Sequence, residues 1–149
     1  LGYVKRRSRY LAYHFFLSCR DMAKLGQLML NGGRWNGRQL VPASWVATST
    51  ALQVPGSQTN GSHMGYGFLW WILSEQRPTP QFAGAYAALG NYGQYLVVMP
   101  ALDLVMVHRR AVTDDFAIAR NLRETTAEPA GGAAPLLPPL DKIVEGLTA

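Results

Sequence analysis

Ala88-Leu89-Gly90-Asn91-Tyr92-Gly93-Gln94-Tyr95-Leu96-Val97-Val98-Met99-Pro100 is the stretch whose reading decides the fold. It reads as a strand, a tight glycine turn and a second strand. A third strand follows at 102–108, after a short link at Pro100-Ala101, and a strand over about 82–89 leads into the turn. Links this short make successive strands antiparallel neighbours. Tyr95, Leu96, Val97, Val98 and Met99 are apolar on both faces, as are Leu102, Leu104, Val105, Met106 and Val107, with Asp103 the exception. A sheet apolar on both faces needs a layer packed on each side.

Outward from this core, Tyr66-Gly67-Phe68-Leu69-Trp70-Trp71-Ile72 is aromatic and β-prone and predicts one more strand, with one of its two tryptophans in the core. Residues 53–65 and 74–81 carry turn and proline residues and predict loops. Ser18-Cys19-Arg20-Asp21 opens a helix. Ser18 can accept from the free N–H groups of its first turn, and Asp21 favours the positive helix end. Met22, Leu25, Leu28 and Met29 fall on one face, and Asn31-Gly32-Gly33 ends the helix. Asn36-Gly37 suits the type I′ turn of a small hairpin over 34–41, and Pro42 starts a short helix. A helix is expected over 114–126, with Asp114-Asp115 at its start. Residues 129–139 form a Pro/Gly/Ala linker. Leu140, Ile143, Val144 and Leu147 mark a terminal helix over 140–149 that packs on the sheet. The expected class is α+β, an antiparallel sheet of about four strands flanked by helices.

The chain has 149 residues, 48% apolar and 15% charged, which argues for a globular protein over a disordered one. No apolar run approaches the ~20 residues of a membrane span. The net charge of +5 is uneven: residues 1–38 hold eight Lys/Arg and one acid, and residues 39–149 hold six Lys/Arg and eight acids. Lys5, Arg6, Arg7 and Arg9 make most of this excess and read as a solvated tail. Their mixing with Tyr10 and Tyr13 is not accompanied by a nucleic-acid-binding module, so nucleic acid is not an expected partner. The basic run followed by Tyr10 to Leu17 imitates a signal peptide, but the apolar part is short and contains His14, and Ser18 is better used as a cap. Cys19 is alone, so no internal disulfide forms. His14, His63 and His108 are scattered, and no metal site or cofactor is expected. His108, Arg109 and Arg110, at a strand end, read as solvated.

Two regions carry a resemblance. Arg20-Asp21-Met22-Ala23-Lys24 and Gly32-Gly33-Arg34-Trp35-Asn36-Gly37, within residues 18–46, resemble the helix–hairpin–helix of the serine β-lactamase, DD-peptidase and esterase superfamily. Residues 66–107 resemble the strands that close its active-site sheet. The resemblance implies the C-terminal half of a β-lactamase/transpeptidase-like fold. It places a partial hydrolase domain over 18–128 and leaves residues 1–17 as an unmatched basic and aromatic segment. In that family a serine attacks an acyl group and a lysine one turn later assists its deprotonation. Ser8, Ser18, Ser44, Ser49, Ser57, Ser62 and Ser74 are followed at +3 by Leu, Asp, Ala, Leu, Asn, Gly and Arg, so Ser-x-x-Lys is absent, and no Tyr-x-Asn occurs. Both motifs lie upstream of Ser18 in the family, and the expectation is a truncated chain.

The third family motif, Lys-Thr-Gly or His-x-Gly, falls by position on Ala88-Leu89-Gly90. Ala88 cannot supply the cation that would hold a β-lactam carboxylate. That departure favours an esterase, amidase or amide-oligomer hydrolase branch. The backbone N–H after the glycine, here that of Asn91, would contribute to the oxyanion hole, worth about 3 kcal/mol when a nucleophile is present. The resemblance thus implies a substrate wall of Ala88, Leu89, Gly90, Asn91 and Tyr92 for a small acyl (ester or amide) substrate, with no complete catalytic set and no turnover by this chain alone. A non-catalytic binding or assembly module on the same half-fold is the alternative. It would cover its sticky sheet by self-association or with a missing N-terminal half. A third reading, a basic-tail binder, would show steep loss of binding with salt.

Overall fold

The computed structural model describes residues 17–59, 64–90, 93–109 and 137–148. Helix α1 (Cys19–Leu30) starts as its sequence requires. Ser18 Oγ accepts from the Asp21 N–H at 3.1 Å, while its own O–H donates to Asp21 Oδ2 at 2.7 Å. Lys24 Nζ lies 2.9 Å from Asp21 Oδ1. The Ser18 hydroxyl, and then Lys24, hold the Asp21 carboxyl below its usual range. At the other end Gly32 and Gly33 take positive φ, and their N–H groups donate to Met29 O and Leu28 O. These bonds satisfy carbonyls that the helix leaves open.

Strands β1 (Arg34–Trp35) and β2 (Arg38–Gln39) form the expected hairpin, with Asn36 and Gly37 both at positive φ. Helix α2 (Ala43–Ser49) follows Pro42. A five-stranded antiparallel sheet then forms in chain order: β3 (Gly65–Tyr66), β4 (Trp71–Ile72), β5 (Tyr86–Gly90), β6 (Gln94–Met99) and β7 (Leu104–His108). Between β4 and β5 lies the short helix α3 (Leu73–Gln76). Helix α4 (Leu137–Thr148) closes the described chain.

The register explains why both faces are apolar. Tyr86 is opposite Val98, and Val98 is opposite Val105. Tyr86 and Val98 cluster with Ile72, with Met29 of α1 and with Val46 of α2. One residue along, Ala87 is opposite Val97, and Val97 is opposite Met106. Ala87, Val97 and Met99 cluster with Leu73, Phe82 and with Leu140 and Val144 of α4. Successive strand residues point to opposite faces. The sheet is therefore a middle layer, with α1 and α2 on one side and α4 on the other, as the two-sided apolar pattern requires.

Several expectations are corrected. The single strand over 66–72 is a hairpin. The Gly67 N–H donates to Trp70 O, the Phe68 N–H donates to Ser49 O, and Leu69 stands at φ 65°, so the chain reverses between β3 and β4. The sheet accordingly has five strands where about four were expected. The loop at 74–81 contains most of α3 and a 3₁₀ turn over Pro80–Phe82. On α1, Leu25 is 43% exposed, and the helix meets the sheet through Gly26 and Met29 instead. Helix α4 begins inside the expected linker, at Leu137, with Pro138 and Pro139 in a first turn that needs no N–H partners. Of its apolar stripe only Leu140 and Val144 are buried, while Ile143 and Leu147 are exposed. The expected helix over 114–126, most of the linker and residues 1–16 lie outside the described residues.

Candidate functional site

The expected substrate wall sits where β5 ends and β6 begins. Ala88 is opposite Leu96, Leu89 opposite Tyr95, and Gly90 opposite Gln94. Alternation sends these residues to different sides. Ala88, half-buried, shares the α1 side with Tyr86 and Leu96. Leu89 and Tyr95, also half-buried, pack at the border of the α4-side cluster. Gly90 is exposed at the strand end. A Cβ there would stand 3.1 Å from Gln94 O and 3.3 Å from Gln94 Cβ, tighter than ordinary contact, so glycine keeps this end of the hairpin narrow. Gly93, buried and at φ 78°, closes the turn into β6. Asn91 and Tyr92 lie outside the described residues.

Three elements converge on this turn. His108, the last residue of β7, has Nδ1 2.8 Å from Gly93 O. The partner is a carbonyl, so Nδ1 is the donor. The imidazole also stacks on Tyr95, with centroids 5.6 Å apart. Arg109 Nε donates to Gln94 Oε1 at 3.0 Å, and its Nη1 donates to Leu17 O. The turn, the end of β7 and the entry to α1 are tied together.

The sequence reading of His108 and Arg109 as merely solvated missed this role. Both are exposed, yet each is bonded to the turn. The available signal was their position: in a meander the end of β7 must lie beside the start of β6.

Tyr86, on the α1 side of the same strand, has its phenol pushed up to about 12 by burial, and Trp70 meets it edge-on at 5.1 Å. It is a packing residue with no ionisation near neutral pH. A separate cavity of about 520 Å³ lies against α4, lined by residues such as Arg77, Phe82 and Glu145. It includes none of the residues at the end of β5. Among the described residues no three His, Cys, Asp or Glu side chains are grouped to hold a metal, and no helix is long and apolar enough to cross a membrane.

The arrangement can present a backbone edge, an open glycine and a tied turn to a substrate. Among the described serines none has a lysine one turn on.

Comparison with known proteins adds three findings. An uncharacterized protein of Alkalihalophilus pseudofirmus is 32% identical over 101 residues, which is 63% of this chain and 29% of that protein. A 6-aminohexanoate-dimer hydrolase of Paenarthrobacter ureafaciens is 29% identical over 99 residues, 61% of this chain and 24% of that protein. A solved structure named "Putative 6-aminohexanoate-dimer hydrolase from Bacillus anthracis" is 33% identical, with a TM-score of 0.48 over 70% of this chain and 26% of that one. No protein-family model matches. The chain spans less than a third of the length of the curated relatives it matches.

Proposed function

We propose that this chain is the C-terminal part of a β-lactamase-like serine hydrolase, of the esterase, amidase or amide-oligomer branch. It supplies the wall and the backbone oxyanion donor of the site, while a serine outside this chain supplies the nucleophile. The observation that carries the reading is the β5–β6 hairpin. Gly90 is open at its end, and the following turn is anchored from β7 by His108 and Arg109. The ties hold Gly93 and Gln94, and a backbone donor preorganised beside them would cost little reorganisation when charge develops on the acyl oxygen. Ala88 in place of a cation removes the anchor for a β-lactam carboxylate, which turns the reading away from penicillin recognition. Similarity to a relative named for an amide-dimer substrate supports the same branch. Leu89 and Tyr95 form the apolar floor below the turn, and the Asn91 N–H is the donor.

A chimera tests this. The matched 99-residue segment of the Paenarthrobacter ureafaciens hydrolase is replaced by this chain's equivalent, and hydrolysis of the 6-aminohexanoate dimer is followed. Retained turnover is expected. Asn91→Pro, which deletes the backbone donor, should lower kcat by about 10²–10³. A folded chimera without turnover, or one indifferent to Asn91→Pro, refutes the proposal. The isolated chain should give no adduct with a fluorophosphonate probe by intact mass. An adduct on one serine, abolished by prior unfolding, would mean that the chain carries its own nucleophile.

A further inference from the structure

Arg109 joins two places that the chain order keeps apart. Its Nε donates to Gln94 Oε1 at 3.0 Å, across 15 residues of sequence. Its Nη1 donates to Leu17 O, across 92 residues. Gln94 is the first residue of β6, where the turn of the candidate site enters the strand. Leu17 precedes Ser18, the cap of α1, so its carbonyl is the last one before the helical segment begins. One planar side chain thus spans the sheet and the start of the helix packed on it.

The acceptors say what kind of tie this is. Both are neutral, an amide oxygen and a main-chain carbonyl. The ion pair among the described residues is Lys24 with Asp21, so no described carboxylate claims the guanidinium. Arg109 is exposed, with Leu17 and Gln94 half-buried, and surface polar contacts add little stability. What a guanidinium adds is geometry. Its donors are fixed in one plane, and here two of them set two groups at once. A lysine would bring one nitrogen in place of two separated ones.

His108 holds the same turn through Gly93 O, but that bond stays within the β6–β7 pair. The pairing of β5, β6 and β7 fixes the turn only relative to the sheet. Arg109 supplies a reference outside it. Helix α1 rests on β6 and β7, where Gly26 meets Leu96 and Val105, and Arg109 adds a polar tie to the start of that helix. We infer that Arg109 is a positioning residue for the candidate site: it fixes the β5–β6 turn against the start of α1, so that the two are placed together. The catalytic consequence rests on the hydrolase reading, because a backbone donor helps only where it meets the developing charge. The tie itself does not rest on that reading.

Nitrogen-15 relaxation of the full chain tests the tie. In the parent, the amides of Gln94 and Ser18 should both have the order parameter of rigid backbone, ~0.85. Arg109→Lys keeps the charge and should lower both toward ~0.6, with the melting temperature within a few degrees of the parent. Gln94→Ala removes the acceptor at the turn and should lower the value at Ser18 as well. Arg38→Lys, an exposed cation of the β1–β2 hairpin, should leave both amides as in the parent. Catalysis is read in the chimera with the Paenarthrobacter ureafaciens hydrolase. There Arg109→Lys should lower kcat about tenfold and change KM by less than about twofold, since misplacing a catalytic group costs rate. A parent already flexible at either amide overturns the inference. So do amides indifferent to Arg109→Lys, a Ser18 amide indifferent to Gln94→Ala, or an active chimera that keeps its kcat in Arg109→Lys. A chimera inactive before Arg109 is changed counts against the hydrolase reading alone, and relaxation still decides the tie.

Discussion

The seat of α1 on the sheet can be tested with one substitution made twice. A Cβ on Gly26 would stand 2.5 Å from Val105 Cγ1 and 2.8 Å from Leu96 Cδ1. Carbon atoms at rest sit ~3.5–4.0 Å apart, so helix and sheet would have to separate by about 1 Å. Val105 cannot swing aside easily, because a β-branched residue is stiff at χ1. Leu96 is buried and has nowhere to go. Overpacking of this kind costs about 1–3 kcal/mol, against about 1 kcal/mol gained from replacing glycine by alanine in a helix. Gly26→Ala should therefore be neutral to destabilising, by up to about 2 kcal/mol. Gly146 on α4 has no described atom within 4 Å of its would-be Cβ. There the same substitution keeps only the gain, up to about 1 kcal/mol. Helix propensity is common to both, so the difference between the variants isolates the packing penalty. Urea titrations give that difference, and thermal melts should separate the two by roughly 2–4 °C per kcal/mol. If Gly26→Ala stabilises the chain as much as Gly146→Ala, α1 does not rest on β6 and β7 through this glycine.

Ser18→Ala removes the acceptor of the Asp21 N–H and should cost about 1 kcal/mol by urea denaturation, with the loss confined to α1 in hydrogen exchange. Asp21, held low by Ser18 and Lys24, contributes stability that is present above its unfolded value and lost as pH falls through its folded one; the decline below pH 4 should be shallower in Asp21→Asn. Tyr86, raised to about 12, works in the opposite sense: above pH 10 the unfolded chain ionises while the native phenol does not, so stability should fall between pH 10 and 12, and less so in Tyr86→Phe. His108→Ala should speed amide exchange at Gln94 and Tyr95 without moving the melting temperature by more than a few degrees, since it removes one exposed tie. Unchanged exchange would mean that the imidazole does not fasten the turn.

Local chemistry made much of this legible in the sequence. Ser18, Asn36-Gly37 and Gly32-Gly33 each have one good conformational use, and each takes it. The two-sided apolar run over 95–107 demanded two covering layers and has them. What was illegible depended on tertiary partners. Gly26 carries no hydrophobic signal, yet it is a contact residue of α1 beside Met29, because a strand carrying Val105 comes too close for a side chain. Tyr66 to Ile72 has strand propensity throughout, and the reversal rests on the Gly67–Trp70 bond, the left-handed Leu69 and the bond from Phe68 to Ser49, an acceptor on another element. At the candidate site, Gly90 was legible from its turn. The tie from His108 was not, because it spans fifteen residues and joins an exposed ring to a main-chain carbonyl.

The seat of α1 also has a consequence during synthesis. The helix is made before the sheet, yet Val105, the residue that closes over Gly26, emerges about 80 residues later. At roughly 5–20 residues per second that is a wait of about 4–16 s on the ribosome. A twelve-residue helix is marginal without its packing partner. The hairpins from β3 onward pair with their immediate predecessors as they appear, but α1 cannot finish docking until β7 is complete. Nascent chains stalled before residue 105 should therefore hold a partial meander beside an incompletely docked α1, the state in which this protein is most exposed to chaperones and proteases.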